Sequence, residues 1–230
     1  MTETNSRKNR WFSIVAFAVI VMALPASAFA WGLYGGIAVG GRLTDTDALN
    51  ASLPSHIGTF SDGQYSLGYD INFLLMDNRL MLISEGRGML SSRLVNGDVR
   101  GDMMSWEQTL KLGVIPWSTD NLLIYPLVGI GKHSARMNMS DFSTLTIAWA
   151  SAKSLVLDVG FGVDYLMRTG GKGGLIIGIR GGYVFPLLKR YWTLDEGVES
   201  DLDIDVNRLP RHSGRGPYVS IIFGGGWFHL

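Results

Sequence analysis

Two histidine–serine pairs raise the question of chemistry in this 230-residue chain: Lys132-His133-Ser134 and His212-Ser213. A histidine beside a serine can act as base and nucleophile in acyl transfer when an acid orients the ring. Adjacency argues against it here. Neighbouring side chains on a strand point to opposite faces, so His133 and Ser134 cannot meet there, and His212-Ser213 falls in a long polar connection. A second candidate is Asp201-Leu-Asp-Ile-Asp205, preceded by Asp195, Glu196 and Glu199. Carboxylates at alternate positions could hold Ca²⁺ or Mg²⁺. The calcium-loop pattern wants a glycine after the third acid, and Val206 stands there. Lys189, Arg190, Arg208, Arg211 and Arg215 share the segment and can neutralise the acids. A charged hairpin arm is the better reading, and no metal or other cofactor is expected. The third candidate is a set of isolated charges: Asp70, Glu85, Arg87, Glu107, Lys111, Asp158, Asp164 and Arg180. They could line a path for protons or ions, or pair with one another where water is scarce.

The segments that carry these charges fix where they point. From Gln64 to Leu75, Tyr65, Leu67, Tyr69, Ile71, Phe73 and Leu75 share one face, while Ser66, Gly68, Asp70 and Asn72 share the other. That period of two is a strand with one apolar and one polar side. Similar segments predict eight strands, at about 31–42, 64–75, 80–90, 103–115, 121–132, 154–167, 174–186 and 216–230. Short connections rich in Asp, Asn, Gly and Pro (76–79, 116–120 and 168–173) alternate with long ones (43–63, 91–102, 133–153 and 187–215). Strict alternation of tight turns and long loops is the order of an up-and-down antiparallel barrel spanning a membrane.

Length and composition agree. An 11-residue strand is roughly 36 Å long, and tilted by about 45° it covers roughly 25 Å of apolar thickness. A lipocalin-like barrel or β-sandwich would put charges on its outer faces; here the non-apolar faces hold glycines and the eight isolated charges. An eight-stranded barrel has an interior wide enough only for side chains, so the charges read as a paired plug and not a pore. Two segments lack a polar face, Leu80 to Ile83 and Leu122 to Ile130, and Pro126 predicts a bulge in the latter. With odd strands running outward, Trp31, Phe73, Trp117, Tyr125, Tyr165, Trp227 and Phe228 gather at the inner rim. Tyr65, Trp106, Tyr183, Phe185 and Tyr218 gather at the outer one, as interfacial rings do.

The N-terminus fits export. Arg7, Lys8 and Arg10 precede an apolar run from Trp11 to Leu24, which ends in Ala28-Phe29-Ala30. Such a segment reads as a cleaved secretory signal over residues 1–30, leaving 31–230 as the barrel. Those thirty residues hold three basic side chains and one acid, so the remainder carries a net −2 from the 20 basic and 20 acidic residues of the whole. Nothing in that balance suits nucleic acid. The absence of cysteine excludes disulfides and thiolate metal sites.

Leu157-Asp-Val-Gly-Phe-Gly-Val-Asp-Tyr165, Gly174-Leu-Ile-Ile-Gly-Ile-Arg-Gly-Gly-Tyr183 and the closing Gly216–Leu230 segment resemble the small eight-stranded outer-membrane β-barrels of Gram-negative bacteria. That broad group includes the OmpA membrane domain and OmpX. The resemblance implies residence in the outer membrane as a monomer, among its lipid and lipopolysaccharide, after insertion by the barrel-assembly machinery. It also implies a C-terminal assembly signal of alternate apolar or aromatic residues, matched by Phe228 and Leu230, although the group usually ends in Phe. Small barrels that deacylate lipid A use His and Ser on one strand face, a spacing that Lys132-His133-Ser134 lacks. The expectation is therefore a non-enzymatic structural or surface-interaction barrel acting through its four long loops. A lipid A-modifying enzyme is the alternative, followed by a narrow channel. Hairpin geometry predicts Arg87 opposite Glu107 and Arg180 opposite Asp164.

Overall fold

The alternation in Gln64–Leu75 becomes strand β2 (Gly63–Leu75) of a computed structural model in which eight long strands form a ring. The others are β1 (Gly32–Leu43), β3 (Leu80–Ser91), β4 (Val99–Val114), β5 (Leu122–Asp141), β6 (Thr146–Arg168), β7 (Gly173–Leu188) and β8 (Gly216–Trp227). The structure describes residues 32–53, 58–75, 79–91, 94–142, 146–169, 173–194, 209–212 and 214–227. Each strand pairs antiparallel with the next, and β8 pairs with β1. The fold is thus a closed, all-β, eight-stranded antiparallel barrel.

Its tilt follows from the register. One circuit leads from Gly32 through Leu74, Met81, Gly113, Leu127, Gly160, Gly182 and Tyr218 to Arg42, ten residues further along β1. A stagger of ten residues at about 3.3 Å, spread over eight strands about 4.8 Å apart, inclines them by about 40°. The faces sort as predicted. Leu67 is 62 % exposed and Ile71 39 %, whereas Asp70 is 1 % exposed and Asn72 fully buried.

The segments without a polar face explain themselves. At the inner end the lumen is itself apolar, filled by Leu74, Met81, Ile83, Leu123, Leu127 and Leu166. Strands there are apolar towards lipid and towards the lumen alike. The bulge expected at Pro126 is absent, because β5 pairs with β6 without a break through Pro126↔Phe161. On its other side the β4 ladder ends at Gly113↔Leu127, so the missing N–H falls where no strand partner requires it. Among the described residues the one register shift lies between Leu155 and Val156, in the β6–β7 pairing.

Two of the four predicted long loops are mostly strand. Residues 91–102 include a hairpin in which Leu94–Asn96 pairs with the start of β4, turned at Gly97, whose φ of +58° favours glycine. Residues 133–153 are largely the extended ends of β5 and β6, which pair as far as Asp141↔Thr146. The 23 residues of β6 far exceed the 9–11 or so that cross a bilayer. The predicted strand ended at 132 because the pattern inverts there. Below that point Val128 and Ile130 face outward; above it Ala135, Met137 and Met139 face inward and Arg136 faces out. An apolar exterior suits lipid and an apolar interior suits water outside, so the inversion marks the exit from the membrane. These inward residues join Leu49, Leu53, Phe60, Trp192 and Leu209 in a second core above the barrel. A six-residue helix, Asp47–Ser52, carries Leu49 into it.

Candidate functional site: the layered polar lumen

All eight charges singled out from the sequence point into the barrel, none more than 4 % exposed. They fall into layers. The inner one centres on Arg180, which pairs with Asp70 and donates to Asn72 Oδ1 at 2.7 Å and Tyr125 Oη at 2.8 Å. Asp164 lies 3.7 Å from the same guanidinium and accepts from Tyr34 at 2.5 Å and Tyr125 at 2.8 Å. Glycines make room for this layer. A Cβ on Gly162 would run into the Tyr125 ring. Tyr34 and Tyr125 supply hydroxyl donors to Asp164, the carboxylate farther from the guanidinium.

The middle layer is balanced. Lys111 Nζ reaches Glu85 at 2.7 Å and Asp158 at 2.6 Å, and donates to Tyr218 Oη at 3.2 Å. Arg87 completes it by pairing with Glu85 and lying 4.2 Å over the Tyr218 ring. In the outer layer Glu107 accepts from Arg42 at 2.6 Å and faces His133 Nδ1 at 3.2 Å. The His133 ring stacks 5.0 Å from His212, which packs edge-on against Trp192. His212 lies in the outer connection, and burial, with lesser contributions from His133 and Arg42, pushes its pKa well below the usual histidine value.

The register places Arg87 opposite Glu107, as hairpin geometry predicts, but their ion pairs form elsewhere. Arg180 stands opposite Gly162 and not Asp164, which faces Gly178. The inner turn is centred differently from the expectation, and the long Arg180 side chain still reaches Asp164 along the diagonal.

Five contributors received no lumen role from the sequence: Tyr34, Arg42, Tyr125, Tyr218 and His133. Arg42 shares its strand face with Tyr34 and Ala38, so its inward phase was legible, and it supplies a fourth base. Tyr125 and Tyr218, assigned to the rims, point inward at 0 % and 5 % exposure. Tyr125 sits in the segment without a polar face, where periodicity gives no phase; Tyr218 alternates with inward Ser220 and Ile222. Tyr65, Trp106, Trp117, Tyr165, Phe185 and Trp227 do remain on the outside. His133, singled out from the sequence only for its neighbour Ser134, lies beyond the predicted strand end and inside the observed strand.

Serine, histidine and acid do come into one row. Glu107 is opposite His133 on β4–β5, and His133 is opposite Ser154 on β5–β6. All three are buried in the lumen, away from the lipid. The adjacent Ser134 faces the other way, as expected. No group of His, Asp and Glu with metal-binding geometry occurs among the described residues. Asp195 to Asp205, Phe228 and Leu230 lie outside those residues.

No family model matches the sequence, and no curated protein matches it. Solved structures do match in shape. A major outer membrane protein from Thermus thermophilus is 14% identical, with a TM-score of 0.50, covering 86% of this chain and 99% of that one. Ail, the attachment invasion locus protein of Yersinia pestis, is 13% identical with a TM-score of 0.42, covering 86% and 96%. Neisserial surface protein A is 10% identical with a TM-score of 0.43, covering 88% and 99%. The register, the tilt and the lipid-type exterior together give this chain the fold of the small eight-stranded outer-membrane β-barrels.

Proposed function

We propose that the protein is a non-enzymatic surface barrel whose rigid outer extension meets the environment. The observation that carries this reading is the second core above the membrane, where Val99, Met103, Ala135, Met137, Ala150 and Trp192 pack together. Strands that continue beyond the bilayer, with a packed interior of their own, present a fixed surface where loops alone would not. Arg136 lies 5.4 Å over the Trp149 ring on the outside of this extension, and Arg100 lies 5.0 Å over Phe142. Exposed aromatic and arginine side chains of this kind are the anchors that interfaces favour. The barrel sits as a monomer among lipopolysaccharide, placed there by the assembly machinery acting on Phe228 and Leu230 after removal of residues 1–30.

A second reading, acyl hydrolysis, draws on the Glu107–His133–Ser154 row. The row faces the lumen, so outer-leaflet lipid A would have to leave the bilayer to reach it. Mass spectrometry of lipid A from cells with and without the protein separates the two. Unchanged acylation, with binding of cells to surfaces weakened by joint Arg136→Glu and Trp149→Ala changes, supports the surface role. Altered acylation abolished by Ser154→Ala supports the enzyme.

A further inference from the structure

The polar atoms of the lumen are unevenly satisfied. Eight buried side-chain nitrogens and oxygens have neither a hydrogen bond nor an ion pair among the described residues. Six of them belong to five residues at the outer end: Arg42 Nε and Nη2, Thr44 Oγ1, His133 Nε2, Ser154 Oγ and His212 Nε2. Each of those residues is at least nine-tenths buried. The inner and middle layers, by contrast, bind nearly all their heads to one another.

The geometry at Arg42 is specific. Its Nη1 is committed to Glu107. The open atoms, Nε and Nη2, are the two parallel N–H donors of the guanidinium's side edge, which matches two oxygens of a carboxylate, phosphate or sulfate. A guanidinium edge donates and never accepts, and its two parallel N–H groups fit best a group that offers two acceptor oxygens side by side. Thr44 follows two residues after Arg42, and Thr44 and His212 are among the residues lining a cavity of about 300 Å³ at the outer mouth; Arg42 and Ser154 lie beneath that lining and not in it. Lys189 and Arg211 line the same cavity, with Asp45 as the acid among them. Lys189 and Arg211 outnumber Asp45 in that lining, a balance that favours an anion over a cation at the mouth.

We propose that the outer end of the lumen is a binding site for a tetrahedral oxyanion, a phosphate or sulfate group. The Arg42 side edge grips two of its oxygens, while the Thr44 and Ser154 hydroxyls and the His212 ring complete the polar shell. Access is from outside through the cavity, between Lys189 and Arg211. This goes beyond the proposed surface role, and neither depends on the other.

Trp192, 5.2 Å from His212, supplies a fluorescence reporter. The test is titration of the folded protein in detergent and phosphate-free buffer with inorganic phosphate, sulfate and chloride at constant ionic strength. Isothermal calorimetry supplies the stoichiometry. Saturable one-to-one binding of phosphate or sulfate, with no saturable response to chloride, is expected. Arg42→Lys keeps the charge but loses the fork, and is expected to weaken binding by roughly tenfold or more. Thr44→Val and Ser154→Ala, which leave the Glu107 pair intact, are expected to weaken it several-fold and serve if the Arg42 variant fails to fold. A second arm separates the sources. Proteoliposomes containing phosphorylated lipopolysaccharide, compared with dephosphorylated material, show the Trp192 change without added phosphate if the group comes from the lipid. Equal responses to chloride and phosphate, an Arg42→Lys variant that binds like the parent, or no response in either arm would overturn the proposal.

Discussion

Replacing Lys111 by methionine removes the cation at the centre of the middle layer. The side chain is 1 % exposed and spans two carboxylates, Glu85 at 2.7 Å and Asp158 at 2.6 Å. After the change Glu85 keeps Arg87, but Asp158, itself fully buried, keeps only the hydroxyl of Tyr218 at 2.8 Å. Leaving one member of a buried pair uncompensated costs about 3–5 kcal/mol. Asp158→Asn leaves Lys111 with Glu85, shared with Arg87, as its one carboxylate and is expected to cost a similar amount. The two losses describe the same contact from either side, so the double variant is expected to fall short of their sum by about 1–3 kcal/mol. Urea titration of the barrel in phospholipid vesicles, read by the gel shift between boiled and unboiled samples, measures all four corners of the cycle. Additivity within about 0.5 kcal/mol would show that water separates these charges and would refute the paired-layer reasoning.

Other predictions probe the surroundings. Ile71→Arg, on the lipid face of β2, is expected to cost about 2–4 kcal/mol in the same assay, and an unchanged midpoint would mean that face does not meet lipid. His212 resists protonation in the native state because it is buried. The unfolded chain accepts the proton near pH 6.5, so the outer cap is expected to be at full stability above that pH and to weaken as pH falls below it. Hydrogen exchange of the His212 amide, bonded to Arg190 O at 3.0 Å, is expected to quicken between about pH 7.5 and 5.5 once corrected for intrinsic rate; a constant opening free energy would contradict this. Deleting the last three residues is expected to leave the chain unfolded in the periplasm, and efficient insertion would remove the assembly role given to Phe228 and Leu230.

Much of this architecture is written in a period-two pattern. Gln64–Leu75 shows both faces at once, since lipid demands one chemistry and the lumen another. The eight charges were legible for the same reason, because few functions other than lumen packing place a lone Glu85 or Asp158 among glycines and aliphatic residues. The pattern fails where the two environments stop differing. Near Leu80–Ile83 and Leu122–Ile130 both faces are apolar, which hid the inward phase of Tyr125. Beyond Lys132 the contrast reverses, which disguised paired strands as loop. Individual contacts were less accessible still. Arg87 and Glu107 stand in register but pair elsewhere, because flexible side chains choose partners across the lumen and from more than one strand. Arg42 reaches Glu107 from β1 on β4, a meeting that only barrel closure and its stagger bring about.

The central claim is that layered side chains fill this barrel and leave its outer extension to carry the function. Planar-bilayer recording on the purified wild-type protein tests it most directly. The account predicts no steady conductance, and a rise in current events only when the Lys111 and Arg180 layers are both removed. Stable single-channel currents from the wild-type protein would contradict it and put a water-filled path in place of the plug.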